Sequence, residues 1–215
     1  MPSSSAEGST AAPPLAWLPG RPVQFAGRAW ARAALKLAGW ELVFDGLPAP
    51  QGVFVGYPHT SNWDFILALF FQWGAGFRAS FWAKDSLFRL PVLGRWLRWM
   101  GGLPVDRSAP RGMVGSMVDR YHGARASGQP LWLAVTPEGT RSLQPGWRTG
   151  YYQLALQAAV PVGLVFFDYG RKRVGVERFF LPTGDATADM AALAQYYQGV
   201  AGKRPDLAAP VRFND

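Results

Sequence analysis

Residues 52–73 read GVFVGYPHTSNWDFILALFFQW. The apolar run at 52–56 has strand length, a polar turn follows, and an apolar stretch of helical length starts at 62 and ends at 73. Outward from this strand, turn and helix the same alternation recurs. Strands are expected at 41–44, 52–56, 79–83, 103–105, 131–135, 162–167 and 174–180. Helices are expected at 62–73, at 86–100 with a break at Pro91, and at 111–125, 149–158 and 186–199. Strands alternating with helices predict an α/β single domain with a largely parallel central sheet flanked by helices. Residues 24–40, QFAGRAWARAALKLAGW, space Arg28, Arg32 and Lys36 four apart and leave the other faces apolar. They predict an N-terminal amphipathic helix that either caps the core or lies in a membrane interface.

The bulk composition agrees with one packed domain. The chain has 215 residues, 49% of them hydrophobic, 14% aromatic and 17% charged. That excludes a disordered chain, and the length fits a single core. With no cysteine, disulfides, thiolate metal sites and a cysteine nucleophile are excluded. A net charge of +8 points to acidic partners: phospholipid, nucleic acid, an acidic carrier or a phosphorylated metabolite. Residues 1–20 are rich in Ser, Ala and Pro with one charge, Glu7, and read as a disordered tail. Residues 21–45 are expected to hold the amphipathic helix and first strand, and 46–215 the main domain. The longest apolar run is FILALFF at 65–71, against about 20 residues for a spanning helix. That helix should be buried.

In open α/β sheets ligands bind beyond the carboxyl ends of the strands. Three polar strand ends stand there: PHTSNWD at 58–64, Asp106-Arg107, and PEGTRS at 137–142. His59 and Asp64 are five apart, about 140° round a regular helix, so they do not share a helical face. With His59 in the turn and Asp64 in the first turn of the next helix, the carboxylate can reach back to the imidazole. That makes a general base and its orienter. Taken alone, the pair reads equally well as a turn residue and a helix cap. Glu138, Gly139, Thr140 and Arg141 combine close backbone approach, a hydroxyl and a planar fork suited to phosphate oxygens, and Arg107 can supply a second fork. Four Glu and two His leave little for a carboxylate-pair hydrolase or a His-rich metal site, and His122 reads as a surface residue. No nucleophile elbow, P-loop or zinc-ligand spacing occurs. GAGFRA at 74–79 fits a dinucleotide pattern but follows a helix, so it reads as a helix end.

His59 with Asp64 as H-x-x-x-x-D, a Gly-led block ending in Asp106-Arg107, P-E-G-T-R-S at 137–142 and Val160-Pro161-Val162 together resemble the glycerophospholipid acyltransferase family, the lysophosphatidate acyltransferase (PlsC-like) group. The blocks stand in the family's order and span roughly residues 50 to 170. The resemblance implies transfer of a fatty acyl group from acyl-CoA or acyl carrier protein to a lysophospholipid hydroxyl, such as that of 1-acylglycerol-3-phosphate, in phospholipid biosynthesis. It implies His59 as general base and Asp64 as its orienter. Arg107, Glu138, Gly139, Thr140 and Arg141 would hold the acceptor phosphate, and Pro161 would lie near the acyl-donor pocket. No metal and no cofactor beyond the acyl donor are implied. The chain departs from the family pattern at Thr136, Pro104-Val105 and the run after Val162, which leaves other acceptors open, lyso-ornithine lipid among them.

Residues 87–100, LFRLPVLGRWLRWM, set Arg95, Trp96, Arg98 and Trp99 in an interfacial composition. The expectation is a peripheral protein on the cytoplasmic face of an inner membrane. An Arg-rich, Ala-rich composition suggests a bacterial source. The competing class is a non-catalytic basic phospholipid-binding module. Nucleic acid is not expected as a partner, because the cations are dispersed along the chain.

Overall fold

Two strands buried along their whole length, β3 (Gln51–Tyr57) and β7 (Val162–Asp168), lie next to each other at the middle of the sheet. Strands covered on both faces read as unbroken apolar runs, which is the pattern both show. The computed structural model describes residues 16–21, 25–105 and 112–214. Within them the sheet has eight strands. Its path runs β1 (Trp17–Leu18), β8 (Arg173–Phe180), β7, β3, β6 (Leu131–Val135), β4 (Ser80–Lys84) and β5 (Gly102–Val105), with β2 (Glu41–Phe44) also paired to β8. β8 runs antiparallel to β1 and β7, and the other pairings are parallel. Pro104 sits on the terminal strand β5, where a missing N–H is tolerated.

Alternation along the strands divides the core in two. Val53, Val55, Leu133, Leu164 and Phe166 face one side, packed under α5 (Gly112–Ala126), α6 (Gly150–Ala158) and α7 (Ala186–Tyr196). Phe54, Trp132, Val165 and Phe167 face the other, under α1 (Ala29–Leu37) and α2 (Trp63–Ala75). On that second side the short α3 (Asp85–Phe88) and α4 (Pro91–Trp99) cover Phe81 through Phe88, Leu97 and Met100. Fully burying one such aromatic contributes about 1.5–3 kcal/mol, so each face carries its own share of stability.

The expected elements are present with small shifts. The first helix begins at Ala29 rather than 24, and residues 22–24 lie outside the described residues. It caps the core through Ala31 and Leu35. The helix after Trp82 breaks before Pro91 as the sequence reading requires. Gly76, at φ +89, ends α2, so the GAGFRA stretch is a helix end. The tail reading of 1–20 needs one correction: Trp17–Leu18 is a strand. The Trp17 ring packs edge-on to Phe180 at 6.3 Å with the Arg178 guanidinium 5.0 Å over it, which holds the segment against β8.

Candidate active site

The turn after β3 carries the site. Asp64 lies in the first turn of α2 and is 1% exposed. Its carboxylate turns back rather than toward solvent: Oδ2 accepts the N–H groups of Thr60 at 2.9 Å and Ser61 at 2.8 Å. A carboxylate favours such a helix start, where unpaired N–H groups and the dipole both attract it. Asn62 makes no side-chain cap, whereas the Ser61 hydroxyl accepts the Trp63 N–H at 3.2 Å. His59 Nδ1 comes to 3.2 Å from Asp64 Oδ2. This is ion-pair range, although the ring N–H is off the line of a well-aligned hydrogen bond. Such contacts commonly tighten only once substrate is bound. The contact favours the tautomer with its proton on Nδ1 and leaves Nε2 as the acceptor nitrogen.

Three distant segments hold this turn in place. Glu138, in the connection after β6, is 1% exposed; its Oε2 accepts the His59 backbone N–H at 2.6 Å and its Oε1 that of Ala209 at 3.0 Å. Burial pushes the Glu138 carboxyl up from the usual range, against the opposing pull of the two N–H donors. Tyr57 donates to the Ala209 carbonyl at 2.8 Å, and burial beside Glu138 raises its phenol to about 12. Arg204 clamps the Thr60 carbonyl with Nε at 3.1 Å and Nη2 at 3.0 Å. Tyr169, just past β7, donates its hydroxyl to Asp64 Oδ1 at 2.8 Å and stands edge-on to Trp40. Burial and the Asp64 charge push the Tyr169 phenol well up, so it remains a donor at all ordinary pH values.

Beside His59 and Asp64 opens a cavity of about 980 Å³. Its walls are apolar: Phe54, Val165 and Phe167 from the sheet, and Phe65, Leu69 and Phe71 from α2. The α2 run at 65–71 therefore divides its faces between the core and this cavity. The polar lining includes the exposed Arg89, Arg141 and Arg148. Gly139 has φ +70, and a β-carbon there would fall 2.7 Å from Arg148 Nε. The missing side chain lets the Arg148 guanidinium lie against the backbone of the Glu138-Gly139 turn.

The structure brings together part of the residue set expected from sequence. His59, Asp64, Gly139 and Arg141 line one cavity. Glu138 does not line it; the acceptor-binding role is corrected, because both carboxylate oxygens accept backbone N–H groups, of His59 and Ala209. Thr140 likewise stands off the cavity wall, its Oγ1 3.2 Å from Ser142 Oγ. Pro161 lies at the opposite edge. It precedes a strand parallel to β3, so it sits at the amino ends of the strands, in a separate cleft of about 220 Å³ with Gln51 and Arg125. Arg107 falls outside the described residues. Trp63 is 58% exposed, with Lys203 Nζ 4.9 Å over its ring. His122 is exposed, and Arg95, Trp96, Arg98 and Trp99 line the outer side of α4.

Arg148, Tyr169 and Arg204 escaped sequence reading. Arg148 lay within reach of it, being a further cation on the same connection after β6. Tyr169 gives a direct check on the carboxylate network. Tyr169→Phe removes the hydroxyl donor from a buried, charged acceptor, and stability is expected to fall by about 1–3 kcal/mol in urea unfolding. An unchanged midpoint would show that Asp64 does not depend on it.

Residues 45–165 match the family model described as Acyltransferase. No curated protein matches the sequence. Among solved structures, the chain is similar to the crystal structure of the 1-acyl-sn-glycerophosphate (LPA) acyltransferase, PlsC, from Thermotoga maritima. The identity is 18% and the TM-score 0.43, over 69% of this chain and 64% of that one. The chain thus spans less than two thirds of that protein's length. The family model, by contrast, covers more than half of the 215 residues and includes His59, Asp64 and the 137–142 turn: the chain belongs to the acyltransferase family.

Proposed function

We propose that the protein moves a fatty acyl group from a thioester donor, acyl-CoA or acyl carrier protein, to the free hydroxyl of a lysophospholipid such as 1-acylglycerol-3-phosphate. One observation carries the reading. A histidine backed by a buried carboxylate opens onto an apolar cavity of acyl-chain dimensions, whose lining also carries Arg141 and Arg148. His59 Nε2 takes the proton of the acceptor hydroxyl as its oxygen attacks the thioester carbonyl carbon. The carbon–sulfur bond then breaks, and the imidazolium returns the proton to the leaving thiolate. Asp64 steadies the imidazolium in between. Arg141 and Arg148 supply forks for the acceptor phosphate, with Gly139 giving the room and Arg107 as a further cation. Binding that phosphate while the hydroxyl faces His59 supplies much of the catalysis through positioning.

No described helix is long and apolar enough to cross a membrane. We further propose, on the interfacial composition of α4, that the protein sits peripherally at the cytoplasmic face of the inner membrane, with Arg95, Trp96, Arg98 and Trp99 among its lipid contacts. The test is incubation with labelled palmitoyl-CoA or palmitoyl carrier protein and a panel of lyso-lipids. A labelled diacyl product is expected. Arg148→Ala and Arg141→Ala should raise KM for phosphate-bearing acceptors more than they lower kcat. Equal use of acceptors with and without phosphate would remove the phosphate assignment.

A further inference from the structure

Asp64 takes its orientation from the turn before it, and one peptide group of that turn is bonded on both sides. The N–H of the Thr60–Ser61 peptide donates to Asp64 Oδ2 at 2.8 Å. Its carbonyl oxygen, that of Thr60, accepts two bonds from the Arg204 guanidinium, from Nε at 3.1 Å and Nη2 at 3.0 Å. A peptide is planar and conjugated, so charge drawn onto its oxygen by a cation makes its N–H a stronger donor. Cation and carboxylate are thereby coupled through one rigid group. Asp64 Oδ2, which also accepts the Thr60 N–H at 2.9 Å, is the oxygen that meets His59 Nδ1 at 3.2 Å. That last contact is the poorly aligned one, so a small rotation of the carboxylate decides whether the imidazole bond forms.

The segment that carries Arg204 has its own anchors on either side. Before it, the Ala201 carbonyl accepts the Tyr169 N–H at 2.8 Å; after it, the Ala209 N–H donates to Glu138 Oε1 at 3.0 Å. What the Arg204 side chain adds is a hold on the turn. Its backbone joins in, the Arg204 N–H donating to Thr60 Oγ1 at 3.2 Å. Gly202 lets the segment lie directly on the turn: a β-carbon there would fall 2.8 Å from Thr60 Oγ1 and 3.2 Å from Pro58 Cβ. Thr60 is fully buried, at 0% exposure, whereas Arg204 is exposed, so the guanidinium reaches in from the surface to a buried group. The family match ends at residue 165, so this contact comes from a part of the chain that the match does not include.

We infer that Arg204 is a positioning residue for the reaction. Through the Thr60–Ser61 peptide it holds Asp64 Oδ2 against His59 Nδ1, and so fixes the proton on Nδ1 and keeps Nε2 free for the acceptor hydroxyl. It acts on the turn's backbone and leaves the chemistry to His59. The other carboxylate oxygen, Oδ1, is set by the Tyr169 hydroxyl, so loss of Arg204 loosens the pair without dissolving it. The inference rests on the base role of His59 given above, and its test reads the imidazole separately from turnover.

The chain has two histidines, so their ring nitrogens can be followed one by one in two-bond proton–nitrogen NMR spectra, with His122→Gln supplying the assignment. At pH about 8.5, above the ordinary imidazole range, His59 of the wild type should show the proton on Nδ1. In Arg204→Ala the His59 nitrogen signals should move toward those of a free imidazole's tautomer mixture, while the His122 signals and the circular dichroism spectrum stay unchanged. With palmitoyl-CoA and 1-acylglycerol-3-phosphate, kcat should fall by about 10–100-fold with KM for both substrates nearly unchanged, the signature of a misplaced catalytic group. Arg204→Lys, a point charge in place of the planar fork, should lie between the two in both readouts. An Arg204→Ala protein with wild-type kcat, or with lowered kcat and unmoved His59 signals, would overturn the inference. If the alanine variant does not fold, Arg204→Lys decides: His59 signals and kcat identical to wild type would overturn it. Shifted His59 signals in a protein that transfers no acyl group would sink the catalytic reading alone and leave the coupling of Arg204 to His59 in place.

Discussion

His59→Ala is expected to lower kcat for acyl transfer by about 10²–10⁴-fold, the range for loss of a general base, with little change in KM or melting temperature. The separation of activity from stability follows from how the turn is held. The Thr60 and Ser61 N–H groups bind Asp64, Arg204 holds the Thr60 carbonyl, and Glu138 holds the His59 backbone. None of these uses the imidazole. Among the described residues the ring's polar contact is the Asp64 carboxylate at 3.2 Å, which keeps its Tyr169, Thr60 and Ser61 donors when the ring is gone. Steady-state kinetics with a thermal melt on the same preparation checks both halves. A variant that melts like wild type and turns over within tenfold of it would remove His59 from the base role.

Glu138→Ala should act in the opposite way, through the fold. It leaves two backbone N–H groups, the half-buried one of His59 and the buried one of Ala209, without acceptors. At about 1–3 kcal/mol for each unpaired group, the loss is about 2–6 kcal/mol, a large share of a typical domain's stability. Activity should fall with it, because the His59 backbone and the 201–209 segment come loose together. The pH dependence has a definite sign. The folded carboxyl titrates above its ordinary value of 4.5, because burial disfavours the charge. Between that value and the raised one the native state binds the extra proton, so the Glu138 contribution is full below pH 4.5 and declines as pH rises through the raised value. The stability gap between wild type and Glu138→Ala in urea should therefore narrow over that window. A gap that widens would reverse the assigned shift.

The two predictions together explain what was legible in the sequence. Strands and helices alternate with clear periodicity, so the layered α/β arrangement could be read from residues 41–199 with shifts of a few positions. The His59 and Asp64 pairing was legible because both lie in one local turn. The supports of that turn were not, since they come from far along the chain. Glu138 stands 79 residues from His59, Tyr169 stands 105 from Asp64, and Arg204 stands 144 from Thr60. Strand order and the return of the segment after α7 bring them together. Glu138 was noticed for its chemistry but assigned to the wrong partner, because a sequence does not say which way a carboxylate points. Pro161, expected near the acyl-donor pocket, precedes a strand parallel to β3 and so lies at the end of the sheet far from His59. The outward sector of α2 was also missed. The run FILALFF looks buried all round, and only the packed helix divides it among core, cavity and solvent.

The account rests on direct transfer of an acyl group from a thioester to a lipid hydroxyl. The measurement that reaches it most directly is the wild-type reaction with labelled palmitoyl-CoA and 1-acylglycerol-3-phosphate, following free thiol and labelled lipid together. The account predicts one diacyl lipid formed for each thiol released, in a reaction that needs both substrates. Thiol released without acylated lipid, or no product from either donor with any lyso-lipid, would contradict it.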